Sequence, residues 1–248
     1  MNSYRLDLLL FFIITLIAEI LGTLGGFGSS IFFVSFAQFL YDFKTVLVLT
    51  GTLHIFSNIS KLILFRKTID YKVFLWLGVS SVLLAIAGAY LTSVFSFSYA
   101  KIILGLFLTG LSTLLYFSPD FFIPPTKTNS ILSGSLAGFL AGFVGTGGAV
   151  RGLALTSFNM EKNFFVGTSA AIDFGVDLSR TLIYLDHDFL QAQYLIYIPL
   201  LMLAAWVGSY LGKLMLNRIN QDLFQRIVLV LIFLTGVSML VQEVLVRS

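Results

Sequence analysis

Arg151 is the residue whose presence is hardest to explain by packing, because it lies inside an apolar segment and far from any loop. Burying a charged side chain in apolar surroundings is costly and requires a partner. The planar guanidinium offers paired N–H donors that fit the oxygens of sulfonate, sulfite, phosphate or carboxylate. Arg151 therefore indicates a bound anion or an ion pair with Asp173, Asp177 or Glu19, and the two roles can coexist.

Two glycine-rich breaks interrupt apolar segments about 120 residues apart. Glycine allows a ligand or another backbone to come close, and a helix that resumes after a break points free N–H groups at an anion. Neighbouring hydroxyl groups add further donors. Two clusters at matching positions favour a substrate site over simple packing of small residues. The candidate substrate-binding residues are Gly25, Gly26, Gly28, Ser29 and Ser30 in the first break and Gly145, Thr146, Gly147 and Gly148 in the second.

Carboxylates inside the apolar segments are the candidates for a coupling role, in which a side chain binds and releases a proton. Asp173 and Asp177 are four residues apart and share one helix face, and Arg180 is positioned to pair with Asp177. Asp173 lies deeper and has no local partner, so it pairs with Arg151 or carries a proton. Glu19 precedes the first break by one turn and is a second proton candidate.

Other polar residues extend the candidate site. Asn58 matches Asp177 in the other half of the sequence and is a further substrate-binding candidate. Thr168 and Ser169 face the same cavity as the second break, or they pack as ordinary small residues. His54 is expected to form a hydrogen bond between helices.

Composition places these residues in a helical membrane protein. Of 248 residues, 58% are hydrophobic and 11% are charged, and the mean hydropathy is +0.96. Soluble domains do not have that balance. The absence of cysteine excludes a disulfide framework and a thiolate metal site. A net charge of +3 does not suggest nucleic acid as a partner. We expect no cofactor and no bound metal.

The sequence repeats itself. Asn58–Lys61 matches Asp177–Arg180, and Gly88–Leu91 matches Gly208–Leu211, in the same order and at nearly the same offset as the breaks. We predict repeat one over 1–117, a proline-rich linker over 118–129 and repeat two over 130–248. Paired breaks in a duplicated membrane protein are typical of transporters with a site at the repeat interface.

Six apolar segments are long enough to span a bilayer. They cover roughly 44–65, 71–93, 99–117, 163–185, 192–212 and 223–246. Shorter pieces flank the breaks, 6–21 with 29–41 and 130–144 with 149–160. Each pair forms one kinked span, which makes the repeats parallel, or a re-entrant hairpin, which makes them inverted.

The distribution of loop charges favours the inverted arrangement. With hairpins, eight Lys and Arg residues lie on one side and four on the other, whereas kinked spans divide them equally. The positive-inside rule then places both termini outside. We therefore predict an all-α polytopic membrane protein with two inverted repeats, each a glycine-broken hairpin plus three spanning helices.

The two breaks, the phrase Val166–Ala170 and the duplicated plan together resemble the TauE/SafE family of sulfite and organosulfonate exporters. The resemblance covers essentially the whole chain. It implies a multi-pass protein of the inner or plasma membrane that moves small sulfur-containing anions without ATP. The proline that family members usually carry after each glycine cluster is absent from Ile31–Ser35 and Ala149–Leu153.

The predicted function is secondary transport, as an exporter, of sulfite or an organosulfonate by alternating access. An anion channel and a carrier of a non-sulfur organic anion are the alternatives. An intramembrane enzyme is the weakest alternative, because the first half has Asn58 where the second has Asp177. The expected partners are a small anionic substrate and the lipid bilayer, and a homodimer is one assembly left open.

Overall fold

The computed structural model describes residues 2–27, 29–37, 41–94, 100–118, 121–144 and 147–247. These residues form helices and connecting turns. The first half contains α1 (Asn2–Leu24), α2 (Ser29–Ala37), α3 (Phe43–Leu64), α4 (Tyr71–Val73), a π-helical turn (Phe74–Gly78), α5 (Val79–Val94) and α6 (Ala100–Phe117). The second half contains α7 (Lys127–Val144), α8 (Gly147–Ser157), α9 (Lys162–Asp186), a 3₁₀ turn (Ala192–Tyr197), α10 (Ile198–Leu216) and α11 (Gln221–Arg247).

The predicted helices are confirmed within a few residues. Four of the described helical segments are long and apolar enough to cross a membrane: Lys44–Leu64, Tyr71–Leu91, Ala192–Leu216 and Gln221–Val241. Leu8–Leu24 and Ile102–Phe117 are shorter apolar helices. Helix α9 has 25 residues, about 37 Å of helix, and it carries the buried charges of the cavity described below.

Helices α1 and α2 form a re-entrant hairpin. Gly22 near the end of α1 lies against Ser29 at the start of α2. Phe11, far earlier in α1, packs against Phe33 and Tyr41, with ring centroids 5.7 Å and 6.3 Å apart. Since early residues of α1 contact late residues of the following segment, α2 returns toward the end where α1 began.

Helices α7 and α8 form the second hairpin. Gly147 lies against Ala137 and Ala141 of α7. At the other end of α8, the Ser157 carbonyl accepts a hydrogen bond of 2.8 Å from the N–H of Ile123, just before α7 begins. The hairpin is therefore the correct alternative for both breaks, and the single kinked span is wrong.

The breaks are shorter than their glycine clusters suggest. Gly142 lies within α7, and the backbone of Ala85 on α5 occupies the space where a Cβ of residue 142 would stand. Gly138 and Gly134, one and two turns earlier, meet the backbone of Ser81 in α5 and of Leu77 in the preceding π-helical turn in the same way. This glycine stripe serves close helix packing.

The matching helices α3 and α9 cross in opposite directions. Gly51 early in α3 lies against Thr181 late in α9, while the N–H of Asp70, after α3, donates to the hydroxyl of Thr168 early in α9. A two-fold axis in the membrane plane relates equivalent helices in this way. The crossing fits inverted repeats, although the duplication itself stays a prediction.

Basic residues from both halves lie at one end of the bundle. The Lys213 ammonium donates to the Leu64 carbonyl at 2.6 Å, next to the exposed Arg66 and Lys67. Lys127 lies 4.2 Å from the ring centroid of Trp76. The side predicted to hold eight basic residues is therefore assembled from loops of both halves.

The two crossing helices, α3 and α9, each begin after a polar N-cap residue, and the two N-caps occupy corresponding positions in the two halves. Asp42 accepts hydrogen bonds from the N–H groups of Lys44 and Thr45, and Glu161 caps α9 in the same manner. The hydroxyl of Thr45, with these N–H groups, lowers the pKa of Asp42 below its usual value. An ionised carboxylate at a helix N-terminus is stabilising.

Candidate functional site

A cavity lies where the two hairpin tips meet the crossing of α3 and α9. Nine of its lining residues are sequence-predicted site residues: Gly26, Ser29, Ser30, Asn58, Gly147, Gly148, Arg151, Asp173 and Asp177. The structure thus brings together residues from both breaks and from both crossing helices.

Arg151 points into this cavity from α8, and its side chain is 2% exposed. Its Nε donates to the Ser169 hydroxyl at 3.0 Å, and its Nη2 forms an ion pair with Asp173. The Asp173 side chain is 18% exposed, so this carboxylate reaches the open part of the cavity. The predicted pairing of Arg151 with Asp173 is confirmed.

Ser169 fixes the orientation of the guanidinium from behind. Its hydroxyl accepts from Arg151 and donates to the Gly26 carbonyl at 2.8 Å. Gly26 has a φ of +69°, a conformation that favours glycine. A single hydroxyl on α9 therefore connects the first hairpin tip to the arginine of the second hairpin.

Asp177 is the hub of a second buried network that joins the two halves. It accepts from Arg180 Nε at 2.8 Å and from Asn58 Nδ2 at 2.9 Å. Arg180 contacts Oδ1 of Asp177, whereas Asn58 contacts Oδ2. His54 Nδ1 lies 3.3 Å from the same Oδ2. The predicted Asp177–Arg180 pair is confirmed, and Asn58 contacts the carboxylate that matches it in the repeat.

Glu19 lies behind the cavity wall and is fully buried. It accepts from the Ser57 hydroxyl at 2.5 Å and lies 3.5 Å from the Lys61 ammonium. Lys61 itself lines the cavity. The role of Glu19 visible in the structure is to hold Lys61, because other side chains separate the carboxylate from the cavity.

Two helices begin at the cavity. Ser29 and Ser30 open α2, and Gly147 and Gly148 open α8. The first N–H groups of a helix lack partners within that helix, and the helix dipole adds positive potential there. An anion in the cavity therefore faces two helix N-termini as well as Arg151.

Residues 11–239 match the family model described as sulfite exporter TauE/SafE. The chain belongs to the TauE/SafE family. TauE/SafE proteins are membrane transporters, which agrees with the apolar helices and re-entrant hairpins of this chain. Neither a curated protein nor a solved structure matches it.

Some predicted site residues lie elsewhere in this TauE/SafE protein. Thr168 lies outside the cavity, and its hydroxyl accepts from the Asp70 N–H at 2.8 Å, because its side chain faces the loop after α3. Gly25 is packed against Leu231 of α11 and does not line the cavity. Gly28, Gly145 and Thr146 lie outside the described residues.

Three residues that line the cavity are not among the sequence-predicted site residues: His54, Lys61 and Arg180. The sequence suggests an ordinary interhelical hydrogen bond for His54 and a pair with Asp177 for Arg180, and it assigns no role in the site to Lys61. A signal for all three was present, because the positions 54, 58 and 61 repeat as 173, 177 and 180. That spacing places each set on one helix face.

Among the described residues, no group of three or more His, Cys, Asp or Glu is arranged to hold a metal ion. The buried carboxylates instead face cations. Glu19 pairs with Lys61, Asp173 with Arg151, and Asp177 with Arg180. Three cationic side chains are thus matched by three carboxylates around one cavity.

Proposed function

We propose that this protein is a secondary transporter that exports small sulfur-containing anions, such as sulfite or an organosulfonate, across the cell membrane. Membership of the TauE/SafE family supports the substrate class. The observation that carries the proposal is the position of Arg151, buried beside two helix N-termini at a cavity between the two hairpins. That combination suits an anion with several oxygens.

The anion binds by replacing Asp173 as the partner of Arg151. Asp173 is the most exposed of the three paired carboxylates, since the side chains of Glu19 and Asp177 are 0% and 3% exposed. The guanidinium keeps its contact with Ser169 during the exchange. An arginine held at one edge can present its remaining N–H groups to sulfonate or sulfite oxygens in a fork.

This exchange couples the anion to a proton. The paired charges around the cavity balance before the anion arrives. A monoanion adds one negative charge, and an uncompensated charge in a buried site is costly. Protonation of Asp173 restores the balance, so one proton accompanies one monoanion. Glu19 and Asp177 keep their charges, because each remains paired with its cation.

Alternating access follows from the position of the site between the halves. The first half contributes the α1–α2 tip and α3, and the second contributes α8 and α9. Moving one half against the other opens the cavity to alternate sides without dismantling either hairpin. Buried polar contacts that cross between the halves, such as Asn58 with Asp177, are those that change.

Uptake of radiolabelled sulfite, sulfoacetate and sulfate into proteoliposomes tests the proposal, with and without an imposed pH gradient. Saturable uptake of a sulfur anion, accelerated by the gradient and accompanied by counterflow, is the expected result. Uptake that never saturates and shows no counterflow indicates a channel. Correctly inserted protein that moves none of the three anions would contradict the sulfur substrate and favour a carrier of other organic anions.

A further inference from the structure

Among the described residues that line the cavity, His54 is the ionisable group outside the three cation–carboxylate pairs. Its Nδ1 lies 3.3 Å from Asp177 Oδ2, and its Nε2 lies 3.1 Å from the hydroxyl of Ser29. The side chain is 14% exposed and lines the cavity. The imidazole therefore bridges the start of α2 in one half and α9 in the other.

The hydrogen bonds define the two protonation states of this imidazole. A carboxylate only accepts, so Nδ1 carries the hydrogen that faces Asp177. In the neutral ring, Nε2 accepts a hydrogen bond from the Ser29 hydroxyl. When Nε2 binds a proton, it donates to Ser29, and the hydroxyl hydrogen turns toward the cavity, where it can donate to an anion.

Charged groups face His54 from several neighbouring helices. Helix α9 presents Asp173, Asp177 and Arg180, and α8 presents Arg151. On its own helix, Lys61 lies two turns away and is held by Glu19 of α1. The described part of α2 offers the hydroxyls of Ser29 and Ser30, and the charged residue of α10, Lys213, is bonded at the end of α3.

The balance of these charges limits the net charge of the anion that the cavity accepts. With neutral His54, a proton on Asp173 compensates one negative charge. A dianion leaves a second negative charge uncompensated beside two hairpin tips. A proton bound at His54 supplies the missing positive charge, and histidine is the usual proton-binding side chain of pH-sensitive sites.

We propose that His54 is a second proton site that determines the charge of the transported anion. With neutral His54 the cavity binds monoanions, and with protonated His54 it also binds dianions. The proton on Nε2 lies next to Ser29, the first residue of α2, and so adjoins the anion. This inference rests on the proposed transport of sulfur anions.

Two probe anions of fixed charge separate this role from the exchange at Arg151. Methanesulfonate is a monoanion and sulfate is a dianion at every pH from about 5.5 to about 8, the range over which histidine titrates. Proteoliposomes with equal pH on both sides are used, so that no gradient drives uptake. The ratio of sulfate to methanesulfonate uptake should rise as pH falls, by up to about tenfold per pH unit for one additional bound proton.

His54→Gln should remove this dependence. Glutamine cannot ionise, so the ratio should stay at its high-pH value wherever uptake of both anions is measurable. The midpoint of thermal unfolding in detergent shows that the variant is folded. His187→Gln is the matched control, because His187 is exposed at the end of α9. Asp173→Asn should keep the pH dependence of the ratio.

Two results would overturn the assignment of His54. One is a His54→Gln variant whose ratio follows the wild-type pH profile. The other is a wild-type ratio that does not change with pH. Failure of the proposed function looks different, because the wild-type protein then shows no saturable uptake of either anion.

Discussion

Arg151 is held by groups that leave part of its guanidinium available to the cavity. Ser169 fixes Nε at 3.0 Å, and Asp173 occupies Nη2 from a partly exposed position. A buried arginine with one fixed and one exchangeable contact is suited to binding an anion without losing its orientation. The same arrangement allows the ion pair and the proposed ligand site to coexist at one residue.

Replacing Arg151 with glutamine should lower saturable anion uptake by about a hundredfold or more. The loss of a charged donor and the unpaired Asp173 together cost about 3 kcal/mol or more at a buried pair. Radiolabelled uptake at matched amounts of inserted protein measures the effect. Arg218→Gln, at an exposed position between α10 and α11, is the control. Unchanged uptake in Arg151→Gln would show that the anion binds elsewhere.

Replacing Asp173 with asparagine should preserve uptake of the monoanion methanesulfonate and abolish its acceleration by a pH gradient. Asparagine imitates the protonated carboxyl, so Arg151 accepts the anion without a proton. Uptake measured with and without the gradient gives the ratio to compare with wild type. Asp222→Asn, exposed in the first turn of α11, should keep the wild-type response. A full gradient response in Asp173→Asn would exclude this carboxylate as the coupling group.

Residue chemistry could be predicted where it follows from local sequence. The isolation of Arg151 in an apolar segment and the spacing of Asp177 and Arg180 both indicated pairs that the structure contains. His54 could not be assigned in the same way, because its partners are 25 and more than 100 residues away. Contacts of that kind depend on which helices cross, and a single sequence does not determine this.

At the scale of helices, the glycine stripe of α7 sets how closely α5 and α7 approach. Gly138 and Gly142 meet backbone atoms of α5, and Gly134 meets backbone atoms of the π-helical turn before it. Backbone atoms cannot rotate aside as side chains do. Apolar runs predicted both helices well. Periodicity alone did not show that Gly142 belongs to this packing face and not to the break, since glycine serves both purposes.

Gly138→Ala should destabilise the protein by about 1–3 kcal/mol, the usual cost of overpacking. A Cβ at this position meets the Ser81 backbone, so the two helices must separate. The midpoint of thermal unfolding in detergent measures the change. Gly110→Ala on α6 is the control, because no atom lies within 4 Å of its added Cβ. Equal midpoints for the two variants would contradict the packing role of the stripe.

At the scale of the whole molecule, the antiparallel crossing of α3 and α9 determines at which end of the bundle the loops of each half lie. Lys213 of the second half bonds the end of α3 in the first half, so basic loops from both halves share one end. The inverted arrangement was predicted from charge and hairpin geometry. The cavity at the crossing could not be predicted from the sequence, because it forms only when both halves are assembled.

Cysteine labelling should place Lys67 and Arg218 on the same side of the membrane. The chain has no cysteine of its own, so Lys67→Cys and Arg218→Cys each carry a single reactive thiol. Both positions are exposed at the basic end, and the positive-inside rule predicts that this end is cytoplasmic. An impermeant maleimide added to intact cells should label neither. Asp188→Cys, exposed after α9, should be labelled. Labelling of Lys67→Cys and Arg218→Cys from opposite sides would contradict the crossing.

The matching of charges around the cavity determines whether the membrane potential can drive transport. Moving one elementary charge across a membrane costs or releases about 2.3 kcal/mol for each 100 mV of membrane potential. An anion that travels with the protons that balance it carries no net charge, so voltage neither drives nor opposes its passage. The concentration gradients of anion and proton then set the direction, and a cell whose membrane potential has collapsed can still clear the anion.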